Sequence, residues 1–419
     1  MKARLKARLK TRLKPGIQSG FTLIELMVGA TIALISMVVM FQVQENWGRQ
    51  QRSISSGGDS HVAGTISAFH IERDLRNAGM GFGNSSYLGC TVSAYDAQRT
   101  GTGRFTFPLA PVQIINGVAG APDEIRVLYG NSSSLSSSYN VARTIEATTA
   151  MADSRNGVAL GDLVVVSTPV STLPVGPVAF PITCHLAEIT SLTGFFAPAI
   201  ADDGKSIRHD TTAYQRTSSP PATRLAAGAG QCTGAGPWNC AIRYNLAGGG
   251  LLPAGWPATG FPDTNWGVGT QGELRSLGDD PRLNAWAVNT TLSTLTLRDR
   301  LHNGIASDVS DGVVDLQAEY GLDTNADDVV DTWQGADPAD WTQVRSIRFA
   351  LLSRGQDYDK LAVTTNAPTW SGGAFVMRNV NNTTDSGPTN LGVNNWRNYR
   401  YNVFEVTVPL RNMIWRRFW

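Results

Sequence analysis

Glu25 is the single ionisable residue in the run 21–41, FTLIELMVGATIALISMVVMF. A carboxylate isolated in so apolar a setting has one chemistry open to it, pairing with a cation. Left alone at the centre of a bilayer it would cost roughly 2.5–3.5 kcal/mol. Thr22, Thr31 and Ser36 can return their hydroxyls to the preceding turn, so Glu25 is the group that needs a partner. Two further sets of residues carry chemistry. Cys90, Cys184, Cys232 and Cys240 can form disulfides. Asp323, Asn325, Asp327 and Asp331 stand at positions 1, 3, 5 and 9 of a calcium-loop pattern, with the Val329 carbonyl at position 7. Asp328 takes the place of that pattern's turn glycine and Gln334 that of its bidentate Glu, so an acidic solvated turn is the competing reading. Catalytic constellations are absent from the sequence: there is no H-E-x-x-H, G-x-S-x-G or phosphate-binding loop, and His61, His70, His185, His209 and His302 are scattered. No cofactor other than calcium is indicated.

The element that must position Glu25 is a helix. At 1.5 Å per residue the 21 residues of that run span about 30 Å, enough to cross a hydrocarbon core. Ahead of it lies MKARLKARLKTRLKPGIQSG, a tandem K-[AT]-R-L repeat with seven Lys/Arg and no acid. Such a segment stays on the cytoplasmic side, which sends the C-terminal body across the membrane. A secretory signal would have a shorter apolar core with small residues beyond it. Here Ser19 and Gly20 precede the apolar run, and no A-x-A-like site follows Met40. The helix reads as a retained element.

Gly20-Phe21-Thr22-Leu23-Ile24-Glu25-Leu26-Met27-Val28 resembles the prepilin signature of the type IV pilin superfamily. The resemblance implies cleavage between Gly20 and Phe21 by a prepilin peptidase, N-methylation of Phe21, and packing of the apolar helix into a filament core. It also implies that Glu25 pairs with the new N-terminal amine of a neighbouring subunit. The physics agrees, because an ammonium and a carboxylate are each costly alone in a low dielectric. Without the leader, 28 Lys and Arg face 34 acids, so the body is mildly acidic and unsuited to general nucleic-acid binding.

Beyond the membrane span the helical pattern continues over 42–80, with a kink allowed at Gly57 and Gly58. Val62, Ile66 and Phe69 form one stripe, with Ala68, Ile71 and Leu75 beside it. The glycines of NAGMGFG (77–83) end it. From 84 to 300, short β-branched runs such as 124–130, 161–168, 184–190 and 293–301 alternate with turns, and 217–240 and 247–270 read as loops. Trp238, Trp256 and Trp266 would anchor those loops, the competing role being a recognition surface. Cys232 and Cys240 bracket TGAGPWN, where a local bridge is natural, leaving Cys90 and Cys184. Four cysteines allow three pairings, and a zinc site is the weaker rival because C-x₂-C is absent.

The C-terminal block 310–412 resembles the PilW-type minor pilins. The match lies in V-x-D-L-Q-x-x-Y-G-x-D at 313–323, V-R-S-I-R-F-x-L-L-S-R at 344–354 and V-P-L-R-N at 408–412. The expected fold is α+β: a leader (1–20), a transmembrane helix (21–41), its continuation (42–80), and a β-rich globular domain (84–419). Its variable part (84–300) has no recognisable counterpart. The tail RNMIWRRFW (411–419) would cover the helix, or contact a membrane surface or an acidic neighbour. The resemblance implies a minor pilin of the type IV pilus that takes part in starting assembly, with twitching, adhesion or DNA uptake as the dependent functions. A type II secretion pseudopilin and a tip adhesin are the alternatives. Implied partners are other minor pilins, the major pilin, the prepilin peptidase, the inner-membrane assembly platform, a tip adhesin and the lipid bilayer. The implied location is the inner membrane, single-pass with a cytoplasmic N-terminus and a periplasmic body, then the pilus at the cell surface.

Overall fold

A computed structural model describes residues 20, 22–132, 138–146, 148–172, 179–192, 204–225, 231–247, 250–254, 256, 271–380 and 395–414. It divides into two compact units, Met1–Ser55 and Ser56–Trp419. One helix, α1, runs Leu23–Asn77 with no break in its helical residues at Gly57 and Gly58. In the first unit, Leu23–Glu45 is long and apolar enough to cross a membrane, and its side chains are exposed.

In the second unit α1 is amphipathic. Gly64, Ser67, Ala68, Ile71, Asp74, Leu75 and Ala78 are buried, a three-and-four spacing that keeps one face inward. Its apolar members share one core with the inner faces of two antiparallel sheets. The five-stranded sheet supplies Val112, Ile114, Ile125, Val127, Trp286 and Leu295. The four-stranded sheet, ordered Thr332–Gln334, Val313–Leu322, Val344–Arg354, Tyr401–Pro409, supplies Leu316, Tyr320, Ile347, Phe349, Leu351 and Val408.

Alternation along Val344–Arg354 sends Ile347, Phe349 and Leu351 into this core and Arg348 to the opposite face. Ala350, on the same face as Arg348, is also buried. Together with Leu352 it lies under Phe375, Met377 and Trp396. The sheet is thus covered on both faces, which is why the strand reads as a nearly continuous apolar run.

An eight-stranded sheet forms most of the remainder, beside a three-stranded and two two-stranded sheets among the described residues. One face packs around Phe82, Phe107, Leu163, Val165, Leu186 and Leu277, and the other around Tyr139, Val164, Val166, Ile189 and Ile207. Its strands pair antiparallel except for Thr91–Tyr95 against Thr183–Glu188, where Val92 faces Cys184 in parallel register. Stretch 217–240, read as loop, contains the short strands Cys232–Thr233 and Trp238–Cys240, which pair with each other, the second also pairing with Tyr214–Arg216.

Candidate assembly elements

At the head of α1, Thr22 and Glu25 form a capping box. Thr22 Oγ1 accepts from the Glu25 amide at 3.3 Å, while Glu25 Oε2 accepts from the Thr22 amide and hydroxyl, each at 3.0 Å. This corrects the expected role of Thr22, whose hydroxyl turns to the carboxylate and not to a preceding turn. Thr31 and Ser36 do bond back, to Val28 O at 2.9 Å and Ile32 O at 2.8 Å. Gly20 is exposed, whereas Phe21 and the basic leader lie outside the described residues. Glu25 is solvent-facing, so its carboxylate stays accessible to a further partner.

The lower part of α1 is joined to the sheets by side chains that spacing alone did not single out. Asp74, 2% exposed, accepts from Trp286 Nε1 at 2.9 Å, Asn284 Nδ2 at 2.8 Å and the Tyr129 hydroxyl at 3.4 Å. An acid between Ile71 and Leu75 on the inward stripe was the available signal. Ser60 accepts from Asn402 Nδ2 at 2.7 Å and, through its carbonyl, from Ser353 Oγ at 3.0 Å. Gly64 faces the Phe404 ring, and a Cβ there would lie 2.0 Å from it. At the far end Gly79, at φ +78°, turns the chain, and Asn412 donates to the Ala78 carbonyl at 2.9 Å. Val62, Ile66 and Phe69 point away from this core, at 58%, 46% and 60% exposure.

The acidic loop is closed by its own chain. Asp323 accepts from the amides of Ala326, Asp327 and Asp328 at 2.6–3.1 Å, and its Oδ2 lies 2.9 Å from Arg345 Nη2. Asp331 accepts from the Thr324 amide and hydroxyl at 2.7 and 2.8 Å and from Asn325 Nδ2 at 3.3 Å. Asp327 accepts from Val329 N at 2.8 Å. Arg345, from the next strand, also lies 3.3 Å from Asp328 Oδ1. Among the described residues no group of three or more His, Cys, Asp or Glu is arranged to hold a metal ion. The donor set does not fit preformed calcium binding. Asp328, where the pattern wants glycine, adopts φ +67°.

Cys90 is bonded to Cys184, and Cys232 to Cys240. The first bridge staples the parallel strand pair and the second closes the small three-stranded sheet. Tyr214 and Trp238 pack around that second bridge. Trp256 lies edge-on to Phe180, while Trp266 and residues 415–419 are outside the described residues. A buried ionic cluster, not foreseen from spacing, ties this small sheet to the large one. Glu188 pairs with Arg224 and accepts from the Tyr214 hydroxyl at 2.7 Å. Arg243 donates to both oxygens of Asp96, at 2.8 and 3.1 Å. These charges balance, so burial without pairing is avoided.

Residues 289–412 match the model of a family described as Type IV Pilus-assembly protein W. No curated protein and no solved structure matches the chain. The matched stretch contains the whole four-stranded sheet and Asn412 at the end of α1. Its similarity to that family, together with the apolar N-terminal helix, supports a PilW-type, pilus-related protein involved in type IV pilus assembly.

Proposed function

We propose that this chain is a minor pilin that helps to start filament assembly and performs no chemistry itself. The observation that carries the reading is the family match over 289–412 on a chain whose N-terminus bears the G-F-T-L-I-E signature and a membrane-length helix. The prepilin peptidase cuts after Gly20 and Phe21 is methylated, so that residues 21–41 become the end of the mature subunit. The helix leaves lipid for a bundle of like helices, and Glu25 meets the new amine of a neighbour. Its bonds to Thr22 lower the cost of carrying the carboxylate until then. The outward stripe Val62, Ile66 and Phe69 is apolar surface of the kind that a neighbouring subunit buries. The other partners are minor pilins, the major pilin and the inner-membrane platform.

Deleting the gene should abolish surface pili, and blocking retraction in the same strain should restore them. Loss of pili in both strains would indicate an obligate structural subunit, and pili unaffected in both would overturn the reading. Glu25→Ala should abolish incorporation while leaving the body folded. A tip-adhesin role has one specific support: the eight-stranded sheet is built from residues that precede the matched region. Removing 131–278, which takes out most of that sheet and spares the strands packed on α1, with pili retained and adhesion lost would favour it. Wild-type function from a secretion system's pseudopilin position would redirect the reading to type II secretion.

A further inference from the structure

His185 and His209 lie side by side in the interior, 5% and 6% exposed, with ring centroids 5.4 Å apart. His185 sits on Thr183–Glu188, on the sheet face that also carries Ala187 and Ile189. His209 follows the edge strand Ser206–Arg208, its amide bonded to the Thr148 carbonyl at 2.8 Å. Both rings line a cavity of about 20 Å³ with Thr148, Asn245, Leu246, Leu251 and Leu252. That volume admits about one water molecule. Neither ring nitrogen of His185 has a hydrogen-bond partner among the described residues.

A proton taken up by His185 would find no partner already bonded to its ring among the described residues, whereas at His209 the ring's own carbonyl and the Asp210 carboxylate favour the charged form without offsetting burial. Asp210, the carboxylate beside His209, is already held by Arg208 Nη2 at 2.9 Å, Thr190 Oγ1 at 2.8 Å and the Thr212 amide at 3.0 Å. Glu188, on His185's own strand, is engaged by Arg224 and Tyr214. Asp162, bonded to the Ala159 amide and Ser276, is directed elsewhere. The cavity residues contributed by 245–252 and by Thr148 are not titratable, and across the sheet His185 is in register with Val166 and Ser93. Burial holds both rings neutral, pushing His185 down to about 3 and His209 to about 4. Asn245 ties the parts together, donating to the carbonyls of Glu188 and Asp210, both at 2.7 Å.

We propose that His185 and His209 form an acid-sensitive latch, closed while both rings are uncharged, whose protonation releases segments 204–210, 245–247 and 250–252 from the eight-stranded sheet. The released state exposes the imidazoles to water, where they bind protons at the ordinary histidine value of about 6.5. With two such sites the opening constant rises about 100-fold between pH 7.5 and 5.5.

Hydrogen exchange of the full chain in detergent, corrected for the intrinsic pH dependence of exchange, tests this. Peptides covering 183–192, 204–216 and 241–247 should open about 100-fold more often at pH 5.5, while 344–354 stays unchanged. In the folded variant His185→Asn/His209→Asn that rise should vanish. Wild-type peptides with no pH-dependent opening, or the same rise in the double variant, would overturn the proposal. If the variant does not fold, the wild-type comparison of these peptides with 344–354 decides.

Discussion

Asp74 is a single residue with a large structural share. Its carboxylate takes three donors, from Trp286, Asn284 and Tyr129, in a place sealed from water. Asp74→Ala strands all three and should cost about 3 kcal/mol, read as a lower urea midpoint. Asp74→Asn, which keeps an acceptor but adds donors, should cost less. Gly64 acts by what it lacks. Gly64→Ala would drive a methyl into the Phe404 ring and should cost about 1–3 kcal/mol, with Phe404→Leu recovering part of the loss in a double-mutant cycle. An equal cost in both backgrounds would show that the contact is not the cause.

At the scale of elements, the four-stranded sheet explains its own motif. Asp323 ends the first strand's pattern and receives Arg345 from the second, Glu319 receives Arg348, and Gln317 Nε2 donates to Asp315 Oδ1 at 2.8 Å. Of the residues whose spacing resembled a calcium loop, Asp323 is thus used for strand-to-strand pairing, while Asp327 and Asp331 bond within the loop. Asp315 is buried under the sheet's second covering, and desolvation pushes its pKa up to about 7. A folded-state value above the unfolded value of about 3.9 means that the unfolded chain loses its proton first as pH rises. The stability contributed by the neutral carboxyl is complete near pH 4 and drains away up to about pH 7. Asp315→Asn should therefore match the wild type near pH 4 and exceed it in urea midpoint above pH 7. A constant difference between the two across that range would rule out Asp315 as the source.

At the scale of the molecule, the extra sheet is held by crosslinks as well as by apolar burial. Cys90–Cys184 closes a sequence separation of 94 residues and Cys232–Cys240 one of 8. On the chain-entropy view these contribute about 4.7 and about 2.5 kcal/mol. Cys90→Ser/Cys184→Ser should lower the urea midpoint more than Cys232→Ser/Cys240→Ser. The reverse order would mean that local packing around Tyr214 and Trp238, and not loop length, sets the contribution.

The elements legible from sequence were those whose signal is local. The apolar helix over Leu23–Glu45 follows from hydropathy interrupted early by Glu25, the helix end at Asn77 from glycines, and strands such as Val344–Arg354 from their apolar alternation. Periodicity also named the stripe Ala68, Ile71 and Leu75, but it could not say that this stripe lies inside while Val62, Ile66 and Phe69 remain outside. That choice depends on Gly64 admitting Phe404 and on Asp74 meeting Trp286, partners 340 and 212 residues away. The Thr22–Glu25 box was within reach of spacing, since T-x-x-E lies at the head of the helix. The pairing of Asp323 with Arg345, the two buried histidines and the Glu188–Arg224 pair were not. Each joins strands distant in sequence, and a side chain's partner is set by which strands the sheets bring alongside one another.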